Sequence, residues 1–313
     1  PSEINQVVFV ASGSSYHCAR YGADIFGSIA GLQAQAIYSS EFLLKAVIPQ
    51  ASDLLYIFIT QSGETSDTNK ALLKAKQANV RTLCVTNKED STIWHEADYK
   101  VCCHAGTERS IAATKSLTSQ MMCLTLLALK FAQCKNIQVN EYFDEILSIP
   151  KYIKETYNLQ PKIKMFAKFI SKYKNLIVCA DGISYALAKE AALKIKETSY
   201  MNVNSSILGE FMHGHVAVLN NSKSALIYIL VDDLSYTATK NLNKIKTDYN
   251  PPICIMGNKN VKINTNYNIN IDCESKLVKY FCVAVMIQLL ALEIALKLHR
   301  NVDKPHGLDK VVK

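Results

Sequence analysis

Glu190, Lys194 and Glu197 stand at i, i+4 and i+7 of the stretch Leu187 to Tyr200, a spacing that sets three side chains on one helix face. A carboxylate beside an ammonium on such a face can take up and return a proton, with the lysine tuning the acid. A solvated, salt-bridged surface shows the same spacing and is the blander reading. Gly209-Glu210-Phe211-Met212-His213-Gly214-His215 sets two histidines in a glycine-flanked loop. Only Glu210 lies nearby and no thiol does, so acid/base use is expected ahead of a metal, and no metal site is expected here. Two exposed loop histidines would read the same way. The tail from Asn301 to Lys313 joins turn residues to an apolar end. A lysine held in a pocket by such a tail can condense with a carbonyl sugar, although C-terminal lysines are ordinarily solvated.

A different chemistry belongs to Thr60-Gln61-Ser62-Gly63-Glu64-Thr65-Ser66-Asp67-Thr68. The unbroken apolar run Leu54 to Ile59 before it reads as a buried parallel strand, and Asn69 to Lys76 after it has helical spacing. Hydroxyls, an amide and a glycine therefore sit on a strand-to-helix turn at the carboxyl end of a strand, where open α/β sheets bind ligands. Free N–H groups at the helix start and close backbone approach at Gly63 suit a phosphate. No Gly-Lys-Ser/Thr follows, so it is not a nucleotide P-loop. An ordinary capped helix start is the bland alternative.

The elements that must hold these residues alternate. Val7 to Val10 is a strand, Ala11 to Tyr16 a turn, and a helix follows from His17 to about Ile29. Strands are expected at 35–38, 82–86 and 99–102, and a long helix from Ala112 to Lys130. Residues 136–174 carry no strand signal and read as a helical linker. Leu176 to Tyr185 then repeats Val7 to Tyr16 as strand-Ala-x-Gly-x-Ser-Tyr, at a constant offset of 169 residues. That repeat argues for a duplicated, doubly wound α/β fold. The second copy continues with strands at 225–230 and 253–256 and a last helix from Lys276 to Arg300. Val231-Asp232-Asp233-Leu234-Ser235 replaces the hydroxyl cradle, so the second copy is not expected to hold phosphate. The domains expected are 1–135, a phosphate-binding subdomain; 136–174, the linker; 175–300, a subdomain with the charged helix and histidine loop; and 301–313, the tail.

The 313 residues are 49% hydrophobic, enough for about two domains of ordinary size. The longest apolar patch, Tyr280 to Leu298, is interrupted by Gln288, Glu293 and Lys297, so a buried helix and no membrane span is expected. The ten cysteines lack CxxC spacing and read as reduced core residues of a cytoplasmic protein; adjacent Cys102 and Cys103 are expected to be neither disulfide-bonded nor zinc ligands. A net charge of +8 comes from dispersed lysines with little aromatic interleaving, so a solvated surface is expected rather than nucleic-acid binding. The chain starts at Pro1, almost directly on a strand, which reads as a piece trimmed from something longer.

Together, GSSY at 13–16, TQSGETSDT at 60–68, GTERSIAATKS at 106–116, ALKIKETSY at 192–200, GEFMHG at 209–214 and VDKPHGLDKVV at 302–312 resemble the double sugar-isomerase (SIS) domain family, in the family's order. The likeness is strongest to isomerase domains of the glucosamine-6-phosphate synthase type. It implies two flavodoxin-like α/β/α subdomains with mostly parallel sheets, in a homodimer. Ser15, Thr60, Gln61, Ser62 and Thr65 would hold the phosphate of a hexose 6-phosphate, and Ser14 and the backbone around Ile111 would touch the sugar. Glu197 would move a proton between carbons 1 and 2, with Lys194 assisting and Glu190 on the same face. His213 would open the ring, reaching in from a partner subunit, and Lys310 would form a Schiff base with the open ketose. This scheme needs no metal or organic cofactor.

The function implied is conversion of fructose 6-phosphate to glucosamine 6-phosphate by Schiff base and ketose-to-aldose isomerisation. Glutamine hydrolysis would need a domain that this chain lacks. A stand-alone glucosamine-6-phosphate deaminase or phosphosugar deglycase is the alternative, and a non-catalytic phosphosugar sensor the second. His215, Asn204, His306 and Ala113 depart from the family pattern and bear on sugar specificity more than on fold.

Overall fold

The computed structural model describes residues 1–259 and 263–310. The expected contributions of Val311 and Val312 to the tail motif lie outside the described residues. The chain forms two compact units: Pro1–Asn140 with Asp309 and Lys310, and Glu141–Leu308.

The first unit runs β1 (Gln6–Ala11), α1 (Gly13–Ala30), β2 (Gln33–Tyr38), α2 (Ser39–Leu44), β3 (Leu54–Thr60), α3 (Ser66–Gln77), β4 (Arg81–Thr86), α4 (Thr92–Glu96), β5 (Tyr99–Cys102) and α5 (Lys115–Cys134). The strands form one parallel sheet in the order β2-β1-β3-β4-β5. Central β3 is buried along its whole length, as its unbroken apolar run requires. Side chains alternate between the faces of β1. Val8 and Val10 join Phe42, Phe58, Leu72 and Ile93 under α2, α3 and α4. Phe9 points the other way and meets Phe26 of α1 edge-on, with ring centroids 5.1 Å apart. On that face Gly22 lets α1 close on the sheet: a Cβ there would lie 3.0 Å from Leu124 of α5 and 3.2 Å from Phe9.

The second unit opens with α6 (Asn140–Tyr157) and α7 (Gln160–Ile170) and continues β6 (Asn175–Ala180), α8 (Ser184–Ser199), β7 (Asn202–Ile207), α9 (Leu208–Phe211), a 3₁₀ turn (His215–Asn220), β8 (Ser224–Leu230), α10 (Tyr236–Asp248), β9 (Ile253–Gly257), β10 (Tyr267–Asn270) and α11 (Lys276–Lys297). Its sheet is again parallel and repeats the order of the first, as β7-β6-β8-β9-β10. The duplication extends to the backbone: Gly13 and Gly182, equivalent in the repeat, have φ of +56° and +53°. From Glu141 onward the segment read as a linker is largely helical and belongs to the second unit. Ile163, Phe166, Ala167 and Ile170 of α7 are buried, and Gln160 donates a 2.9 Å hydrogen bond to Glu293 of α11.

α11 is long and apolar enough to cross a membrane, but 89% of its most apolar stretch is buried, so it serves as a core helix. Of the ten free cysteines, Cys102, Cys123 and Cys134 are half-buried and the rest buried. α1 and α8 start earlier than expected, at Gly13 and Ser184, because the turn serines form the first helical turn. α5 starts later, at Lys115, because the residues before it are tied into a loop.

Candidate active site

In the first unit, Ser14 and Ser15 open α1 directly after β1, and Thr60 to Thr65 link β3 to α3. β1 and β3 are neighbours in register, with Ala11 opposite Ile59. Both turns thus lie at the carboxyl ends of adjacent strands, at the topological switch point of the 2-1-3-4-5 order. Thr65 occupies the N-cap of α3 without capping it; its hydroxyl instead lies 2.9 Å from that of Thr60. Ser62 accepts a 3.1 Å hydrogen bond from the Glu64 N–H. The leading N–H groups of α3 have no side-chain cap and lie beside these hydroxyls, an arrangement chemically suited to an anion.

The turn is clamped from behind. Gln61 and Gly63 carbonyls accept from the N–H groups of Asn87 (3.2 Å) and Ile93 (3.3 Å). Glu64 accepts from the Thr92 N–H (2.7 Å) and hydroxyl (2.9 Å). Gly63 has φ +71°, and a Cβ there would come within 2.0 Å of Ser91 Oγ, so both conformation and space require glycine.

Ser15 donates to Gln120 Oε1 of α5 at 3.1 Å. Gln120 is buried, and its Nε2 has no hydrogen-bond partner. Sequence reading missed this residue, since one glutamine on an amphipathic helix gives no signal. The Glu108 anchor was missed too. Glu108 accepts from Thr114 N–H (3.0 Å) and hydroxyl (3.2 Å) and from Ser116 N–H (3.0 Å) and hydroxyl (2.7 Å), folding the 108–116 loop onto the start of α5. Burial opposes its charge, but these bonds and the Lys310 ammonium outweigh that and hold the carboxyl below its usual range. The Lys310 ammonium donates to the Ser110 carbonyl, next to half-buried Ile111.

In the second unit, α8 brings Glu190, Lys194 and Glu197 together. Lys194 Nζ lies 3.7 Å from Glu190 and also donates to Glu197. The Lys194 and Glu190 side chains are 3% and 2% exposed, whereas Glu197 is 21% exposed. A buried ammonium thus holds one carboxylate inside and one at the surface, and only Glu197 is open to a reactant. A surface salt-bridge face is ruled out by this burial. His213 is exposed on the turn after α9, outside this ion cluster.

The equivalent turn of the second unit is built differently. Ser235 caps α10 by accepting from the Ala238 N–H at 3.1 Å, as Thr65 does not for α3. Asp232 pairs with Lys276 at 2.8 Å, and its backbone carbonyl accepts from Asn258 at 2.9 Å. Burial opposes the Asp232 charge, but the Lys276 bond prevails and lowers its pKa.

Comparison with known proteins fits this architecture. A glutamine–fructose-6-phosphate aminotransferase (isomerizing) of Campylobacter jejuni is 30% identical over 99% of this chain, which spans 52% of that relative. A protein of the same name from Methanocaldococcus jannaschii is 34% identical, again over 99% of this chain but 28% of its own length. The chain thus spans about half, or less, of these relatives. The solved C-terminal domain of glucosamine-fructose-6-phosphate aminotransferase from Francisella tularensis superposes with a TM-score of 0.91 at 25% identity, covering 97% of this chain and 88% of that one. A glucosamine-6-phosphate deaminase from Thermotoga maritima, at 20% identity and TM-score 0.80 over 98% of this chain and 90% of its own, shares the fold. SIS domain, the family description, matches residues 2–130 and 169–298, one stretch for each sheet, so the chain belongs to the SIS domain family and carries two copies of that domain.

Proposed function

We propose that this chain is the isomerase domain of a glutamine–fructose-6-phosphate aminotransferase-type protein, acting on a hexose 6-phosphate. The 6-phosphate binds the turn of Thr60, Gln61, Ser62 and Thr65 with Ser15, while Ser14 and the backbone at Ile111 meet the sugar. Lys310 condenses through its amine with the ketose carbonyl at carbon 2, releasing water. Ammonia then displaces the lysine amine from carbon 2, which frees Lys310 and leaves an unsubstituted imine, and Glu197 removes a proton from carbon 1 of that imine and returns it at carbon 2, giving the 2-amino aldose. Lys194 steadies the carboxylate, and Glu190 pairs with the lysine from the buried side. His213 acts in ring opening, from the partner subunit of a homodimer.

The observation that carries this reading is an anchored amine and an anion-binding turn on one compact unit. Lys310 is held at Ser110 and the hydroxyl cradle closes β3. The names of the relatives support the substrate class. The amide nitrogen of glutamine would come from a glutamine-hydrolysing part outside this chain. Ten free thiols favour a reducing, cytoplasmic setting.

The test is reductive trapping. The chain is incubated with fructose 6-phosphate, the imine is reduced with borohydride, and the adduct is mapped by peptide mass spectrometry. A reduced hexose phosphate on Lys310, absent in Lys310→Arg, is expected. No adduct, or one on another lysine, contradicts the assignment.

A further inference from the structure

Away from the residues above, Glu89, Cys102 and His104 bring a carboxylate oxygen, a thiol sulfur and an imidazole nitrogen within 4.8 Å of one another. We propose that these three residues form a binding site for a thiophilic divalent cation, with zinc as its occupant.

The frame is built before any ion arrives. Cys102 ends β5 opposite Thr86 at the end of β4, and Glu89 lies on the turn that follows β4. Cys103 N–H donates to Thr86 O at 2.8 Å. Asn87 ties the two stretches together: its Nδ2 donates to Gly106 O at 2.8 Å and its Oδ1 accepts from Ala105 N–H at 2.7 Å. Ser91 Oγ closes the turn by donating to Lys88 O at 2.6 Å. His104 has φ +47°, in the left-handed region that residues other than glycine seldom enter. Two short segments with three donors are therefore fixed against each other by hydrogen bonds that use none of the donor atoms.

The donor set selects the ion. One sulfur, one nitrogen and one oxygen suit zinc, whereas magnesium and calcium call for oxygen alone. Zinc bonds of about 2.0–2.3 Å place tetrahedral donors about 3.3–3.8 Å apart, within reach of small side-chain rotations from the observed spacing. Three protein donors leave a fourth position for water. Cys102 is half-buried and Glu89 and His104 are exposed, so the ion can enter from solvent. Sequence reading placed Cys102 in the core because its partners are thirteen residues away on one side and two on the other, a spacing unlike a zinc-finger pattern.

The test uses the whole chain, stripped of metal with a chelator and titrated with Co²⁺ alone. One Co²⁺ per chain is expected, with a thiolate-to-cobalt charge-transfer band, strong four-coordinate d–d absorption, and displacement of both by Zn²⁺. Cys102→Ser should abolish the charge-transfer band, and His104→Asn should weaken binding more than about tenfold, the least that a change in the outer shell already costs. Circular dichroism of both metal-free variants should match the parent. No thiolate band in the parent, or a band that survives Cys102→Ser, overturns the site.

Discussion

Lys194 is the buried centre of the ion cluster on α8. Its ammonium is nearly sealed from solvent between Glu190 and Glu197. Removing one member of a buried ion set costs about 3–5 kcal/mol, because the partner charge is left without compensation. Lys194→Met is therefore expected to lower unfolding stability by about that amount in urea titrations. The double variant Glu190→Gln, Lys194→Met should recover part of the loss, since it removes the stranded carboxylate as well. An unchanged urea midpoint in the single variant would show that the buried ion set contributes no net stability. The three residues were legible as a helix face from their spacing alone. The burial of Glu190 and Lys194 was not settled by it, because the same i, i+4, i+7 pattern serves solvated helices equally well.

At the scale of elements, the 108–116 loop depends on a carboxylate. Glu108 receives four hydrogen bonds from Thr114 and Ser116, and its folded-state pKa is lowered. A depressed carboxyl contributes stability that is fully present above its unfolded value, about 4.3, and is lost as pH falls through the folded value. The stability difference between the parent and Glu108→Gln should therefore be largest near neutrality and shrink as pH drops below about 4. A difference that stays constant with pH would show that the hydrogen bonds alone, without the charge, hold the loop.

Apolar runs made β1, β3, β8 and β9 readable in the sequence, since strands buried on both faces need them. β7 and β10 were not read. Asn202-Val203-Asn204-Ser205-Ser206-Ile207 and Tyr267-Asn268-Ile269-Asn270 are polar segments at sheet edges, and pairing with β6 and β9 makes them strands. The late start of α5 had the same kind of cause: Glu108 reaches six to eight residues forward, a link that helical periodicity does not register.

Across the whole molecule, duplication gave two like sheets whose equivalent turns differ, and binding of the phosphate is proposed for the first turn alone. The offset of the repeat exposed the duplication, and Asp232 and Asp233 marked the second turn as altered. That Lys276 and Ser235 fill it was beyond sequence reading, because Lys276 comes 44 residues after Asp232. Titration calorimetry with fructose 6-phosphate is expected to give one site per chain, and two equivalent sites would contradict the assignment of the second turn.

Glu197 is proposed to transfer a proton on a hexose 6-phosphate. The most direct measurement incubates the chain with fructose 6-phosphate and follows glucose 6-phosphate. The parent should produce it, and Glu197→Gln should do so about 10²–10⁴-fold more slowly, the span that a positioned general base contributes. Equal rates in the two proteins would mean that Glu197 is not the base, and no glucose 6-phosphate from a parent that binds the sugar phosphate would mean that the chain does not isomerise this sugar.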